Sequence, residues 1–136
     1  MFDLIRSMNL IVKPFIENHA KSYDLTLPEW RAMMILASAP GANGEEIARR
    51  LTTDRMSVSR ALRRMEEAGR TRRRKSEQDR KNNEWFLTEE GWSVFDEIAA
   101  AARQHEADIL LAFSDADRRR LATLVKRLME RAEQIS

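Results

Sequence analysis

Six side chains between residues 55 and 63 combine the right chemistry with helical spacing: Arg55, Met56, Ser57, Ser59, Arg60 and Arg63. An arginine offers a planar fork that bridges O6 and N7 of guanine. A serine bonds a phosphate or a base edge, and a methionine packs on a thymine methyl. Arg60 is the first choice for base readout. A second group follows closely. Arg72, Arg73, Arg74 and Lys75 are consecutive, and Asp79, Arg80 and Lys81 lie just beyond. On a strand the first four alternate between faces, so only about half can meet one surface. Phosphate contacts fix register without carrying sequence information, which suits Arg72, Arg74, Lys75 and Lys81. The bland alternative for both groups is a solvated charged surface.

The net charge supports the polyanion reading only once it is divided. The chain of 136 residues totals +2, yet residues 49–81 hold thirteen Arg and Lys against five Asp and Glu. That segment is therefore +8 and the remainder −6. A basic stretch flanked by acidic ones is the footprint of a polyanion binder.

Other chemistries are excluded by composition. There is no cysteine, so disulfides, thiolate nucleophiles and Cys/His zinc sites are out, and the two histidines, His19 and His105, are far apart. Neither a Gly-rich phosphate loop nor an acid pair in a pocket motif is present, so an enzyme is the weakest option and no metal or cofactor is expected. No apolar run approaches the roughly 20 residues of a membrane span, which makes the cytoplasm the expected location.

The elements that must position these groups follow from period and caps. Residues 2–23 place Ile5, Met8, Val12, Phe15, Ile16 and His19 at helical spacing, with Pro14 expected to kink or break the helix. Thr26, Pro28 and Glu29 form a start signal for a helix to Ser38, which Pro40 and Gly41 end. Asn43 caps a short helix to Leu51. A turn at 52–54 then leads into a helix over 55–68, with Val58, Leu62 and Met65 inward and Gly69 as its C′ residue. The period changes to strands at 71–76 and 84–87 around a polar turn at 77–83. A long helix from Thr88 to about Ala112 and a last one, capped by Ser114 and ending near Gln134, complete the chain. The fold class is mainly α with a small β-hairpin wing: a winged helix-turn-helix over 26–90, with 1–23 and 91–136 as flanking helices of one 136-residue domain.

In this order and spacing, Leu25-Thr-Leu-Pro-Glu-Trp30, Asp54-Arg-Met-Ser-Val-Ser-Arg60, Asp79-Arg80 and Leu87-Thr-Glu-Glu-Gly91 resemble MarR-type transcriptional regulators along essentially the whole chain. The resemblance implies a homodimer built through the N- and C-terminal helices. It also implies a palindromic operator, with helix 55–68 in the major groove and wing 76–83 in the minor groove, and a small aromatic effector. Within it, Asp79 holds the wing while Arg80 enters the groove. Two positions depart from the family. Arg70 and Thr71 stand where an apolar pair usually follows the glycine, so Arg70 must snorkel out or find a partner. Met56 replaces a small hydroxyl residue.

The resemblance places the effector near His19, Trp30, Met33, Met34, Trp92 and Phe95, beside Trp85. Met and aromatic residues at helical spacing are more often plain core. The terminal helices carry more apolar positions than a small wing domain can cover, among them Ile98, Ile109, Leu110, Phe113, Leu121, Leu124, Val125, Leu128 and Met129. A two-fold partner answers that excess. The leading expectation is a sequence-specific double-stranded-DNA regulator acting as a repressor. The competing one is a winged-helix protein-interaction module that does not read DNA.

Overall fold

The computed structural model describes residues 2–78 and 82–135. Its elements are α1 (Phe2–Asn18), a 3-10 turn (Ala20–Tyr23), α2 (Leu27–Ser38), α3 (Gly44–Leu51), α4 (Arg55–Glu67), β1 (Thr71–Lys75), β2 (Asn83–Leu87), α5 (Glu89–Leu110) and α6 (Asp115–Gln134). The two strands form one antiparallel sheet, with Arg72 opposite Phe86, Arg73 opposite Trp85, Arg74 opposite Glu84 and Lys75 opposite Asn83. The mainly helical winged fold is therefore present. The chain divides into two compact units between Ala101 and Ala102, a point inside α5.

Capping chemistry sets most helix starts. Asn43 Oδ1 accepts from the Glu46 amide and Asp54 Oδ1 from the Ser57 amide. Ser114 Oγ accepts from the Asp117 amide, and Thr88 Oγ1 from the Gly91 amide. Each satisfies a donor that the first helical turn leaves without a partner. At the other end of α4, Gly69 takes φ +73° and returns its amide to the Glu66 carbonyl, closing the helix before the wing.

One expectation fails in part. α1 runs unbroken through Pro14. The carbonyl that the proline ring leaves without a donor belongs to Leu10, on a solvent-exposed turn, where water can serve it.

The core of the first unit is built from Met33, Leu36, Ile47, Leu62, Met65 and Ile98, all fully buried. The wing is tied to this core on both strands. Trp85 and Leu87 bury their side chains. The loop after α2 pairs with β2 through the Gly41 amide to the Trp85 carbonyl and the Trp85 amide to the Ala42 carbonyl. The unusual Thr71 is also buried. Its hydroxyl donates to the Leu62 carbonyl at 3.2 Å, so a polar residue occupies an apolar place at little cost. Arg70 finds a partner too, the main-chain carbonyl of Tyr23.

In the second unit the end of α5 and α6 enclose an open groove of about 640 Å³ lined by Leu110, Leu121, Val125 and Met129. No residue of α6 is buried. No described helix is long and apolar enough to cross a membrane.

Candidate nucleic-acid interface

α4 turns its apolar face, Val58, Ala61, Leu62 and Met65, into the core, so its other face must lie outward. Arg55, Met56, Arg60 and Arg63 are exposed, with Met56 66 % accessible. Ser57 and Ser59 are half-buried. The serines do different work. Ser57 donates its hydroxyl to Asp54 Oδ2 at 2.6 Å and accepts from Arg60 Nη2 at 3.2 Å, so it links the helix cap to an outward arginine. Ser59 lines a polar groove of about 190 Å³ together with Arg55, Arg63, Arg73, Asn82 and Asn83. The Ser57 hydroxyl and amide hold the Asp54 carboxyl below its ordinary range.

The cations of the basic segment fall into two groups. Several are engaged with acids: Arg50 with Glu46 at 2.6 Å, Arg55 with Glu45 at 3.6 Å, Arg73 with Glu66 at 3.2 Å and Arg74 with Glu84 at 2.7 Å. The Arg74 guanidinium keeps the Glu84 carboxyl below the usual carboxylate range. Among the described residues, Arg49, Arg60, Arg63, Arg72 and Lys75 form no ion pair.

Wing alternation refines the expected set. Arg72 and Arg74 share the Phe86 face, their guanidinium carbons 4.8 and 5.2 Å from that ring. Arg73 lies 5.9 Å from the Trp85 ring, on the opposite face. By the same register Lys75 falls on the Arg73 face, so Arg72, Arg74 and Lys75 do not point together. Arg73, which the basic run contains but the expected phosphate contacts leave out, lines the groove beside α4 together with Asn82 and Asn83. The pairing of Arg73 with buried Trp85 in the strand register puts it there. Asp79, Arg80 and Lys81 lie outside the described residues.

The candidate effector residues only partly converge. His19 and Phe15 have ring centres 5.2 Å apart, Phe15 and Trp30 6.4 Å, Trp30 and Phe95 5.4 Å stacked, and Phe95 and Trp92 5.7 Å edge-on. Four of the six therefore join one aromatic chain, with Phe15 as the link that sequence reading left out. Met33 is instead fully buried core, while its neighbour Met34 is 41 % exposed. Two consecutive helical residues point about 100° apart, so Met33 faces the core while Met34 faces outward.

A short helix, a turn and a second helix with outward arginines, backed by a two-stranded wing, define a winged helix-turn-helix fold. Residues 25–82 match the MarR family model. The chain is 25 % identical over 137 residues to the uncharacterized HTH-type transcriptional regulator YybA of Bacillus subtilis, covering 98 % of this chain and 91 % of that protein. It is 23 % identical over 125 residues to the HTH-type transcriptional repressor Rv2887 of Mycobacterium tuberculosis, covering 92 % and 90 %. A MarR transcriptional regulator from Methanosarcina mazei superposes with a TM-score of 0.89 at 20 % identity, over the full length of both chains.

Proposed function

We propose that the protein is a repressor that binds a palindromic operator as a homodimer, with α4 in the major groove and the wing at 76–83 in the minor groove. The observation that carries this is the outward face of α4. Arg60 and Arg63 stand exposed and form no ion pair among the described residues, next to a groove lined by wing residues. Unpaired arginines can give a bidentate fork to guanine without first breaking an ion pair. Arg72 and Lys75 add phosphate contacts that set register. Homodimerisation through the terminal helices is supported by their exposed apolar side chains: Phe2, Leu4, Ile5, Met8 and Leu10 on α1, and Leu121, Leu124, Val125, Leu128 and Met129 on α6. The aromatic chain ending at half-exposed Trp92 is the place for a planar, aromatic effector that releases the operator. The protein acts in the cytoplasm, with the DNA it reads.

Selection of bound sequences from random duplexes tests this reading. The expected result is a palindrome with half-sites about one turn apart, roughly 34 to 36 Å. Affinity should fall linearly in log salt, as phosphate neutralisation demands. Recovery of no consensus, with a partner protein captured instead, would support the protein-interaction alternative.

A further inference from the structure

Beside the outward cations of α4, a second pair of arginines, half-exposed Arg64 and half-buried Arg70, reaches back toward the turn that leaves α1. Arg64 Nε stands 3.2 Å from Glu29 Oε1, whose residue is only 3 % exposed, and Arg64 Nη2 lies 3.7 Å from Asp24 Oδ2. The other Glu29 oxygen accepts from the Thr26 amide at 2.6 Å and hydroxyl at 2.7 Å. A buried carboxylate is thus satisfied on both oxygens, one of them by the recognition helix itself. Arg70 reaches the Tyr23 carbonyl, and the Tyr23 hydroxyl donates to Glu97 on α5. Both arginines therefore end on the turn that leaves α1.

The main chain at the same place is equally fixed. The Arg70 amide returns to the Met65 carbonyl at 2.8 Å, and the Arg70 carbonyl accepts from the Thr88 amide at 3.0 Å. Thr88 Oγ1 donates to the Gly69 carbonyl at 2.6 Å. α5 begins so close to this knot that a Cβ on Gly91 would collide with the Arg70 carbonyl oxygen. The end of α4 is thus bound to α5 by backbone and to the 20–24 turn by two guanidiniums. Arg70 is a departure from the family pattern that this chain resembles, so the guanidinium link is a property of this sequence.

We propose that Arg70 and Arg64 form a positioning latch, which holds α4 at one attitude to the 20–24 turn and α5 so that the outward arginines meet base edges in register. This rests on the operator-binding reading above. Base readout needs bidentate geometry held to a fraction of an ångström, whereas non-specific attraction to duplex depends on charge and counterion release. A latch therefore governs the ratio of the two affinities more than either alone. A residue needed only for folding would lower both.

The test measures binding of the full chain to its selected operator and to a scrambled duplex at one salt concentration, alongside amide exchange without DNA. Arg70→Leu is expected to weaken operator binding about tenfold and scrambled-duplex binding less than twofold. The Asp24 and Leu25 amides, which bond within the turn, should exchange faster. Arg70→Lys, which can still donate to a carbonyl, should recover most of the operator affinity. Tyr23→Phe cuts the link to Glu97 with no change at the DNA-facing cations, and should lower the ratio about threefold even if Arg70→Leu folds poorly. An unchanged ratio in Arg70→Leu and Tyr23→Phe, or turn amides that exchange at the native rate, overturns the latch while leaving the operator reading intact. Indifference of the wild-type protein to duplex sequence overturns the operator reading and the latch's role in it together.

Discussion

In α4 the inward side chains Val58, Ala61, Leu62 and Met65 are all buried, whereas in α6 Leu121, Leu124, Val125, Leu128 and Met129 are all exposed. Both helices are amphipathic, and both begin at a side-chain cap. What differs is where the apolar face finds its cover. The recognition lobe closes its own core, so its sequence specifies a fold. α6 has an apolar stripe and a groove that its own unit leaves open, which is the face the proposed homodimer would cover. Covering five half-exposed side chains is worth about 1 kcal/mol each, enough to hold a partner copy.

The largest effect should come from breaking that stripe. Leu124→Glu with Leu128→Glu places charges on it, and sedimentation should show monomers. Operator affinity should then fall about a thousandfold, because two half-sites no longer act as one ligand. A dimer that survives both charges would put the interface elsewhere. The reciprocal change lies in the lobe. Leu62→Ala opens a cavity in a fully buried place and should cost about 3 kcal/mol in denaturant unfolding, with assembly unaltered wherever the protein is folded. If instead Leu62→Ala dissociates the protein and the α6 variant unfolds the lobe, the two helices do not divide fold and assembly between them.

The third effect separates the outward arginines from the fold. Arg60→Ala should cost about 2 kcal/mol in operator binding and leave the thermal midpoint nearly unchanged, since the side chain is exposed and its hydrogen bond goes to the Ser57 hydroxyl. A uniform loss on all duplexes would make Arg60 a phosphate contact rather than a base reader.

The same contrast explains what can be read in the sequence. Caps are legible because one residue's chemistry decides them: Thr26, Asn43, Asp54, Gly69 and Ser114 fall where their types demand. The bounds of α2 and α3 follow from such signals, and inward positions of α4 follow from period. Pairing among charges is not legible. Arg73 meets Glu66 and Arg74 meets Glu84 only because strand register and the seat of β1 on α4 bring them together. Local spacing likewise gave no hint that Glu29, a capping acid, also receives Arg64 from 35 positions away. The thirteen cations of the basic segment therefore overstate its free charge. Glu66→Gln and Glu84→Gln offer a gentle check, since each releases an arginine. Duplex affinity should rise about threefold, with a salt slope steeper by about one per freed arginine.

The smallest expected effect concerns how α4 begins. Asp54 is its cap, and the Ser57 amide and hydroxyl favour the ionised carboxylate, which lowers the pKa in the folded state. Unfolded chain offers neither donor, so there the group titrates in its ordinary range. Protonation is thus easier once the chain unfolds, and the contribution of the cap is present in full above the ordinary aspartate range. It is lost as pH falls through the lower, folded value. Fraying there also frees Ser57, and with it the contact that steadies Arg60. Exchange of the Ser57 amide, followed as pH is lowered below the ordinary aspartate range and corrected for intrinsic rates, should report a loss of protection. In Asp54→Asn, whose amide oxygen still caps but does not titrate, that pH dependence should vanish while a helix start remains. Persistence of the same acid transition in Asp54→Asn would assign it to another carboxylate, Glu84 being the alternative, because Arg74 lowers its pKa in the same sense.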